Sequence, residues 1–205
     1  MFTRRGRVLN PRKAKLVVIS GPSGTGKTSI CNALLTRLPG AVWSVSATTR
    51  PPRGNEAAGN SYDFISAEEF ERRKAAGQFL ETAEYVGHWY GTPAGPVNTA
   101  LAQGRDVIME IDVQGGLQVA QRMPASVRIF VLPPTMDSLK ARLAGRKTES
   151  EEQLKKRLAA ADGEIGFARD SKAYQHFVVN DDLEATVAEV MEIIEMERGK
   201  PTNRD

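Results

Sequence analysis

Cysteine is almost absent from this chain. Cys31 stands alone among 205 residues, which excludes a disulfide scaffold and any zinc site built from several thiolates. It falls in an apolar helical stretch and reads as a small core residue rather than a nucleophile. The only histidines, His88 and His176, stand in no arrangement that would hold a metal, so both read as structural or solvent-facing. No apolar run approaches the roughly 18–20 residues that a membrane span needs. No apolar stretch follows the basic start, as a secretion signal would require, so a cytoplasmic location without a membrane partner is expected. Acid is missing from the first quarter. Residues 1–55 hold ten bases, and the first carboxylate is Glu56. The other 150 residues hold 18 bases and 25 acids, so the net charge of +3 conceals an acidic body behind a basic start.

Two kinds of base share that start. Residues 1–15 carry six bases and little apolar pattern, and they read as a flexible, solvated arm; contact with nucleic acid through it is a weaker alternative. Lys27, Arg50 and Arg53 lie inside patterned sequence and call for another explanation. At 40% hydrophobic and 26% charged the chain has the composition of a globular domain rather than a disordered one.

Short apolar strands alternate with helices. Leu16–Ser20 reads as a buried strand, with Asp106–Asp112 and Val127–Leu132 as further apolar strands and Phe177–Val179 as a fourth strand. Helical spacing marks residues 29–38, 97–103, 117–122, 135–144, 146–167 and 182–197. The alternation predicts an α/β domain with a mainly parallel sheet flanked by helices. Residues 44–96 interrupt it with turns and short strands: Val42–Thr48, Tyr62–Ile65, Gln78–Tyr85 and His88–Gly91. Ser66 and Glu69 form a capping box that opens a helix to about Ala76. The expected division is a core of 16–43, 97–139 and 170–197, an inserted lobe near 44–96, and a helical lid near 140–169.

Gly21-Pro22-Ser23-Gly24-Thr25-Gly26-Lys27-Thr28 fits the pattern GxxxxGK[ST], directly after a strand and opening a helix. In that setting the glycines let backbone N–H groups wrap around phosphates, and the helix N-terminus adds partial positive charge. Lys27 can reach the β- and γ-phosphates of ATP, and the Thr28 hydroxyl can ligate Mg²⁺. Glu110 and Asp112 close the next strong apolar strand. Parallel strands present their C-terminal ends to the ligand crevice, so both carboxylates are candidates for the metal region through water.

A phosphate loop alone does not name the acceptor. The segments Ser46-Ala47-Thr48-Thr49-Arg50-Pro51-Pro52-Arg53, Tyr62-Asp63-Phe64, Phe79-Leu80-Glu81, Tyr90-Gly91-Thr92 and Glu110-Ile111-Asp112-Val113-Gln114-Gly115 occur in order. With Arg142, Arg146, Arg157 and Val179-Asn180-Asp181-Asp182 downstream, the chain resembles guanylate kinases from about Leu16 to Ile194. The resemblance implies phosphorylation of GMP, and of dGMP, by Mg-ATP. It implies an ATP site at Gly21, Pro22, Ser23, Gly24, Thr25, Gly26, Lys27, Thr28 and Ser29, with Asn180 beside the adenine. It implies guanine contacts at Ser46, Glu81 and Thr92, phosphate contacts at Arg50, Arg53, Tyr62 and Tyr90, and Asp112 between the nucleotides. Arg142, Arg146 and Arg157 match the lid arginines.

The chemistry fits. A carboxylate such as Glu81 accepts from guanine N1–H and N2–H₂ while a hydroxyl donates to O6; adenine would turn its own N1 lone pair on the carboxylate. Because the acceptor is an already ionised phosphate, catalysis should rest on alignment and charge rather than a strong general base. The catalytic set expected is Lys27, Arg50, Arg142, Arg146 and Arg157. Three positions depart from the usual pattern: Gly54-Asn55-Glu56, Thr82 and Glu110. Two other readings share the phosphate loop: a kinase of a different phosphorylated acceptor, such as a ribose bisphosphate, and a non-catalytic guanylate-kinase-like binding module. The first has no use for the Ser46, Glu81 and Thr92 set, and the second has no use for an intact phosphate loop and lid. Substrates are therefore small molecules, no nucleic acid is required, and a homo-oligomer is left open.

Overall fold

A computed structural model of the chain describes residues 13–54, 62–145 and 151–199. Arg146 and residues 1–12 lie outside the described residues, as do Asn55 and Glu56. In chain order the elements are β1 (Leu16–Ser20), α1 (Lys27–Arg37), β2 (Val42–Trp43), β3 (Ala47–Thr48), β4 (Asp63–Phe64), α2 (Ala67–Ala75), β5 (Phe79–Tyr85), β6 (His88–Pro93) and α3 (Ala94–Ala102). They continue with β7 (Val107–Glu110), α4 (Val113–Arg122), β8 (Val127–Leu132), α5 (Met136–Ala144), α6 (Glu151–Asp170), β9 (His176–Val179) and α7 (Leu183–Gly199).

Five strands form an all-parallel sheet in the order β2-β7-β1-β8-β9. Side chains on β1 alternate between its faces. Val17 and Ile19 join Ile30, Leu34, Val187 and Val190 of α1 and α7 on one face. Leu16 and Val18 join Val97 and Ala100 of α3 and Val119 of α4 on the other. Both faces are covered, which is why β1 reads as an unbroken apolar run. His176 pairs with Glu197 at 2.8 Å and ties β9 to α7, the structural one of the two roles open to it from sequence. Cys31 is buried in the α1 core, and burial pushes its thiol far above the usual range.

A second, four-stranded sheet, β4-β3-β6-β5, carries its own small core: Phe70 stacks on Phe79 at 4.6 Å and on Trp89 at 5.9 Å. Leu139 and Leu143 of α5 pack on Leu154, Leu158 and Ala161 of α6, forming a separate helical pair.

Several expectations change. Val42–Thr48 is not one strand. Val42 and Trp43 pair with β7 in the main sheet, whereas Ala47 and Thr48 pair with β4 and β6 in the second. Alternation in a sequence cannot say which partner each half will find. The strand expected to end at Asp112 stops at Glu110, and Asp112 instead caps α4, its Oδ1 accepting from Gly115 N at 2.7 Å. Gly115 and Gly116 hide this first turn, since glycine disfavours helix; Gly116 is required because a Cβ there would overlap the Tyr174 hydroxyl. α3 starts at Ala94, with Pro96 tolerated in its first turn. Only half of the Ser66 capping box forms: Ser66 Oγ accepts from Glu69 N, while the Glu69 carboxylate turns to Arg72 and Arg73. Lys15 belongs to the fold rather than to an arm, its N–H donating to Asp106 Oδ1 at 2.9 Å and its carbonyl accepting from Val107.

Arg128 clamps two loops behind the sheet. Its guanidinium donates to the carbonyls of Ala173 (2.6 Å) and Ser126 (3.0 Å) and to Ser126 Oγ (2.7 Å). Burial lowers its tendency to stay charged, so each acceptor counts. Lysine cannot present this fork. Arg128→Lys should therefore cost about 3 kcal/mol, a fall of roughly 6–12 °C in the thermal midpoint, with any substrate affinities unchanged.

Candidate active site

The phosphate loop follows from the sharp exit of β1. Gly21, Gly24 and Gly26 hold φ of 146°, 90° and 89°, conformations a side chain would strain. Close packing adds to the demand: a Cβ on Gly21 would strike the Val131 carbonyl, and one on Gly26 the Asn180 amide. Thr25 Oγ1 donates to the Pro22 carbonyl at 2.9 Å and tightens the turn. Lys27 opens α1 and folds back over the loop, its Nζ donating to the carbonyls of Gly21 (2.7 Å) and Pro22 (2.9 Å). Thr28 Oγ1 donates to Glu110 Oε1 at 3.1 Å.

A cavity of about 610 Å³ opens over this loop, walled by Gly21, Ser23, Lys27, Thr28, Glu110 and Asp112 on the core side and by Arg157 and Glu164 of α6 on the other. A second cavity, of about 470 Å³, is lined by Ser46, Arg50, Arg53, Tyr62, Glu81 and Tyr90. Tyr62, Tyr85, Glu110, Ile111 and Asp112 line both, so the two are halves of one cleft.

The second half depends on strand register. β5 and β6 run antiparallel with Glu81 opposite Thr92, and β3 sets Ala47 opposite Gly91, which brings Ser46 alongside. The result is a chain of polar groups: Thr92 Oγ1 donates to Glu81 Oε1 at 2.6 Å, and Ser46 Oγ lies 3.2 Å from Thr92 Oγ1. Glu81 is only 4% exposed. Desolvation lifts its carboxyl to about 7, against the Thr92 hydrogen bond, while the charge of Asp112 pushes the same way as burial.

Arg50 is buried as well. Its Nε donates to Tyr90 Oη at 3.2 Å, its Nη1 to the Pro51 carbonyl at 2.8 Å, and its guanidinium lies 5.5 Å from the centre of the Tyr62 ring. A cation so held is pre-oriented for an anion in the cavity.

Most residues expected at the site meet there. Arg142 is near but turned aside, its Nη2 donating to the Asp181 carbonyl at 3.4 Å. Asn180 lies beneath the loop rather than at its mouth. Its Nδ2 donates to the Thr25 carbonyl at 2.7 Å and its Oδ1 accepts from Thr186 at 3.1 Å, so its buried amide supports the loop from behind. α5 also touches the loop, since a Cβ on Gly24 would come within 2.9 Å of Leu143.

Glu164 and Tyr85 are among the wall residues that the sequence reading missed. Glu164 stands seven positions after Arg157 on α6, the spacing of one helix face; burial raises its carboxyl, Lys27 lowers it and Asp112 raises it again. Tyr85 follows Glu81 and Ala83 at a spacing of two, and all three line the second cavity. The alternation in β5 was the signal that could have found it.

Comparison with known proteins agrees with this geometry. The family model for guanylate kinase matches residues 13–197. The chain is 49% identical over 191 residues to a guanylate kinase of Symbiobacterium thermophilum, covering 93% of this chain and 89% of that one. It is 48% identical over 177 residues to a guanylate kinase of Thermosynechococcus vestitus, covering 86% and 91%. A crystal structure of guanylate kinase from Anaplasma phagocytophilum superposes with a TM-score of 0.71 at 32% identity, covering 92% and 88%. Among the described residues no helix is long and apolar enough to cross a membrane. A phosphate loop facing a buried carboxylate across one cleft, on a fold and sequence shared with these proteins, makes this chain a member of the guanylate kinase family, an enzyme of the nucleoside monophosphate kinases.

Proposed function

We propose that this chain transfers the γ-phosphoryl group of ATP to GMP, giving ADP and GDP. The observation that carries this reading is the Ser46–Thr92–Glu81 chain, in which Ser46 and Glu81 line a cavity continuous with the phosphate loop and the fully buried Thr92 links them. Glu81 would accept from guanine N1–H and N2–H₂, and a hydroxyl would donate to O6. Arg50, Arg53, Tyr62 and Tyr90 would take the GMP phosphate. These residues address base and phosphate rather than ribose, which extends the reading to dGMP. A ribose bisphosphate would bring the buried Glu81 no donor beyond Thr92, which argues against that acceptor.

The loop's N–H groups and Lys27 would hold the ATP phosphates. Arg157, facing Lys27 across the same cavity, would balance charge on the transferring group, with Arg50 bridging from the acceptor side and Arg142 and Arg146 brought in by the lid. The attacking phosphate oxygen is already ionised, so alignment is the main task. The oxygen donors Thr28 and Glu110, already in contact, fit Mg²⁺, which binds through one or two protein oxygens together with phosphates and water; Asp112 would reach it through water. When bound, the ion would neutralise phosphate charge. The lobe at 44–96 and the lid at 140–169 would close over the nucleotides and exclude water.

Lys27→Ala should lower kcat at least about 100-fold in a coupled ADP-release assay without changing the far-ultraviolet circular dichroism. Near-normal turnover would remove Lys27 from the phosphate cradle. Glu81 gives a pH signature. Its carboxyl titrates near 7 when folded, above its ordinary value, so its ionisation costs stability as pH rises from the ordinary value through 7. Guanine binds the ionised form, so GMP affinity should rise with pH through this window and level off above it. Glu81→Gln should weaken GMP binding by about 10- to 100-fold and remove this component of the profile, separating it from the second ionisation of the GMP phosphate. Unchanged use of GMP by Glu81→Gln would refute the guanine assignment.

A further inference from the structure

Tyr85 is a wall of the cleft that the mechanism above leaves without a task. It is 69% exposed, yet it lines both halves of the cleft. It ends β5, opposite His88 of β6, at the tip of the hairpin that carries Glu81. The turn beyond it, Val86-Gly87, has φ of 50° and 73°, the pair of left-handed residues that a tight two-residue hairpin requires. Glycine takes this conformation freely. A β-branched valine does not, and Val86 adopts it while 77% exposed, so no packing of its own side chain compensates. The β5–β6 ladder thus imposes a short, taut tip, and the tip sets where the backbone of Tyr85 stands at the edge of the cleft.

The opposite wall of the donor half is α6, which contributes Arg157, Ala160, Ala161 and Glu164. Ala160 is exposed and small. A large amphipathic ring on the lobe therefore faces a bare ledge on the lid, with the phosphate loop below and the acceptor cavity beside it.

We propose that Tyr85 is a positioning residue that seals the junction of the two nucleotides: as lobe and lid approach, its ring lies against α6 at Ala160 and keeps water from the transferring phosphoryl group. This role rests on the reading of the chain as a GMP kinase. In productive turnover a GMP phosphate oxygen bonds to the γ-phosphorus as the bond to the ADP oxygen breaks. Water at the same point makes the same bond, loses its proton to solvent, and yields ADP and orthophosphate without GDP. The ring suppresses that second outcome.

The test measures ADP and GDP together in single reactions of the full chain with Mg-ATP and saturating GMP. The wild-type chain and Tyr85→Phe should give one GDP per ADP. Tyr85→Ala should give at least about twofold more ADP than GDP, with an unchanged thermal midpoint because the side chain is exposed. Ala160→Asp, which puts a charge on the ledge, should leak in the same way. Equal ADP and GDP in Tyr85→Ala overturns the proposal, and a leak in Tyr85→Phe as large as in Tyr85→Ala overturns the role of the ring. A wild-type chain that makes no GDP at all overturns the kinase reading and this role with it, whereas GDP production with intact coupling in Tyr85→Ala strikes at Tyr85 alone.

Discussion

The parallel pairing of β1 with β7 is the contact on which the rest of the cleft depends. Its register sets Ile19 beside Glu110, so the exit of β1 into the phosphate loop lies next to the exit of β7 into Asp112. Thr28 can then reach Glu110, and Ser20 Oγ donates to the Asp112 carbonyl at 3.4 Å. A slip of one residue would turn Glu110 to the opposite face of the sheet and bury a carboxylate among apolar side chains. Full burial of both faces of β1 makes that slip expensive. The apolar run LVVIS therefore holds the core and also aligns the site.

The second sheet works under a different constraint. Glu81 is kept in a desolvated place that raises the cost of its charge, and Thr92 is the only hydroxyl hydrogen-bonded to it among the described residues. A buried carboxylate so placed is unfavourable in isolation and becomes favourable when donors arrive. Under the proposed function, that asymmetry is what a selective base pocket needs. It is maintained by packing elsewhere: the Phe70–Phe79–Trp89 stack sets the lobe's small core, and Gln118 of α4 bonds both the N–H and the carbonyl of Thr82. The lobe is thereby tied to the core at the residue next to Glu81. Thr82, a departure from the pattern common in such chains, contributes there through its backbone.

Much of this was legible in the residues. The phosphate loop announced itself because four fixed positions follow an apolar strand and precede a helix, and Lys27 and Thr28 stand where that pattern requires. The α/β alternation predicted the parallel sheet because fully buried strands leave a one-dimensional trace. Other features left none. Asp112 could be read as a strand-end acid, but its service as a helix cap was masked by Gly115 and Gly116, whose value lies in close packing, Gly115 against the Glu81 carboxylate and Gly116 against Tyr174, rather than in any local preference. Asn180 stood in a recognisable motif, yet which of its neighbours its amide would bond depended on the loop arriving from 155 residues away. Glu164 looked like one more charge on a charged helix until α6 was placed across from Lys27.

By itself, then, the sequence determined the local chemistry of this protein: a loop able to bind phosphates, a sheet able to carry it, and an ordered set of guanidinium, hydroxyl and carboxylate groups suited to a nucleotide acceptor. These are consequences of residue type and short-range periodicity, which a linear string records. Only the tertiary structure decided which of those groups share a cavity, that the donor and acceptor spaces are one cleft, that Glu81 is dry enough to titrate near neutrality, and that Val42–Thr48 divides between two sheets. Desolvation, register and the meeting of distant segments are properties of packing, and they arise only when non-local surfaces close on one another.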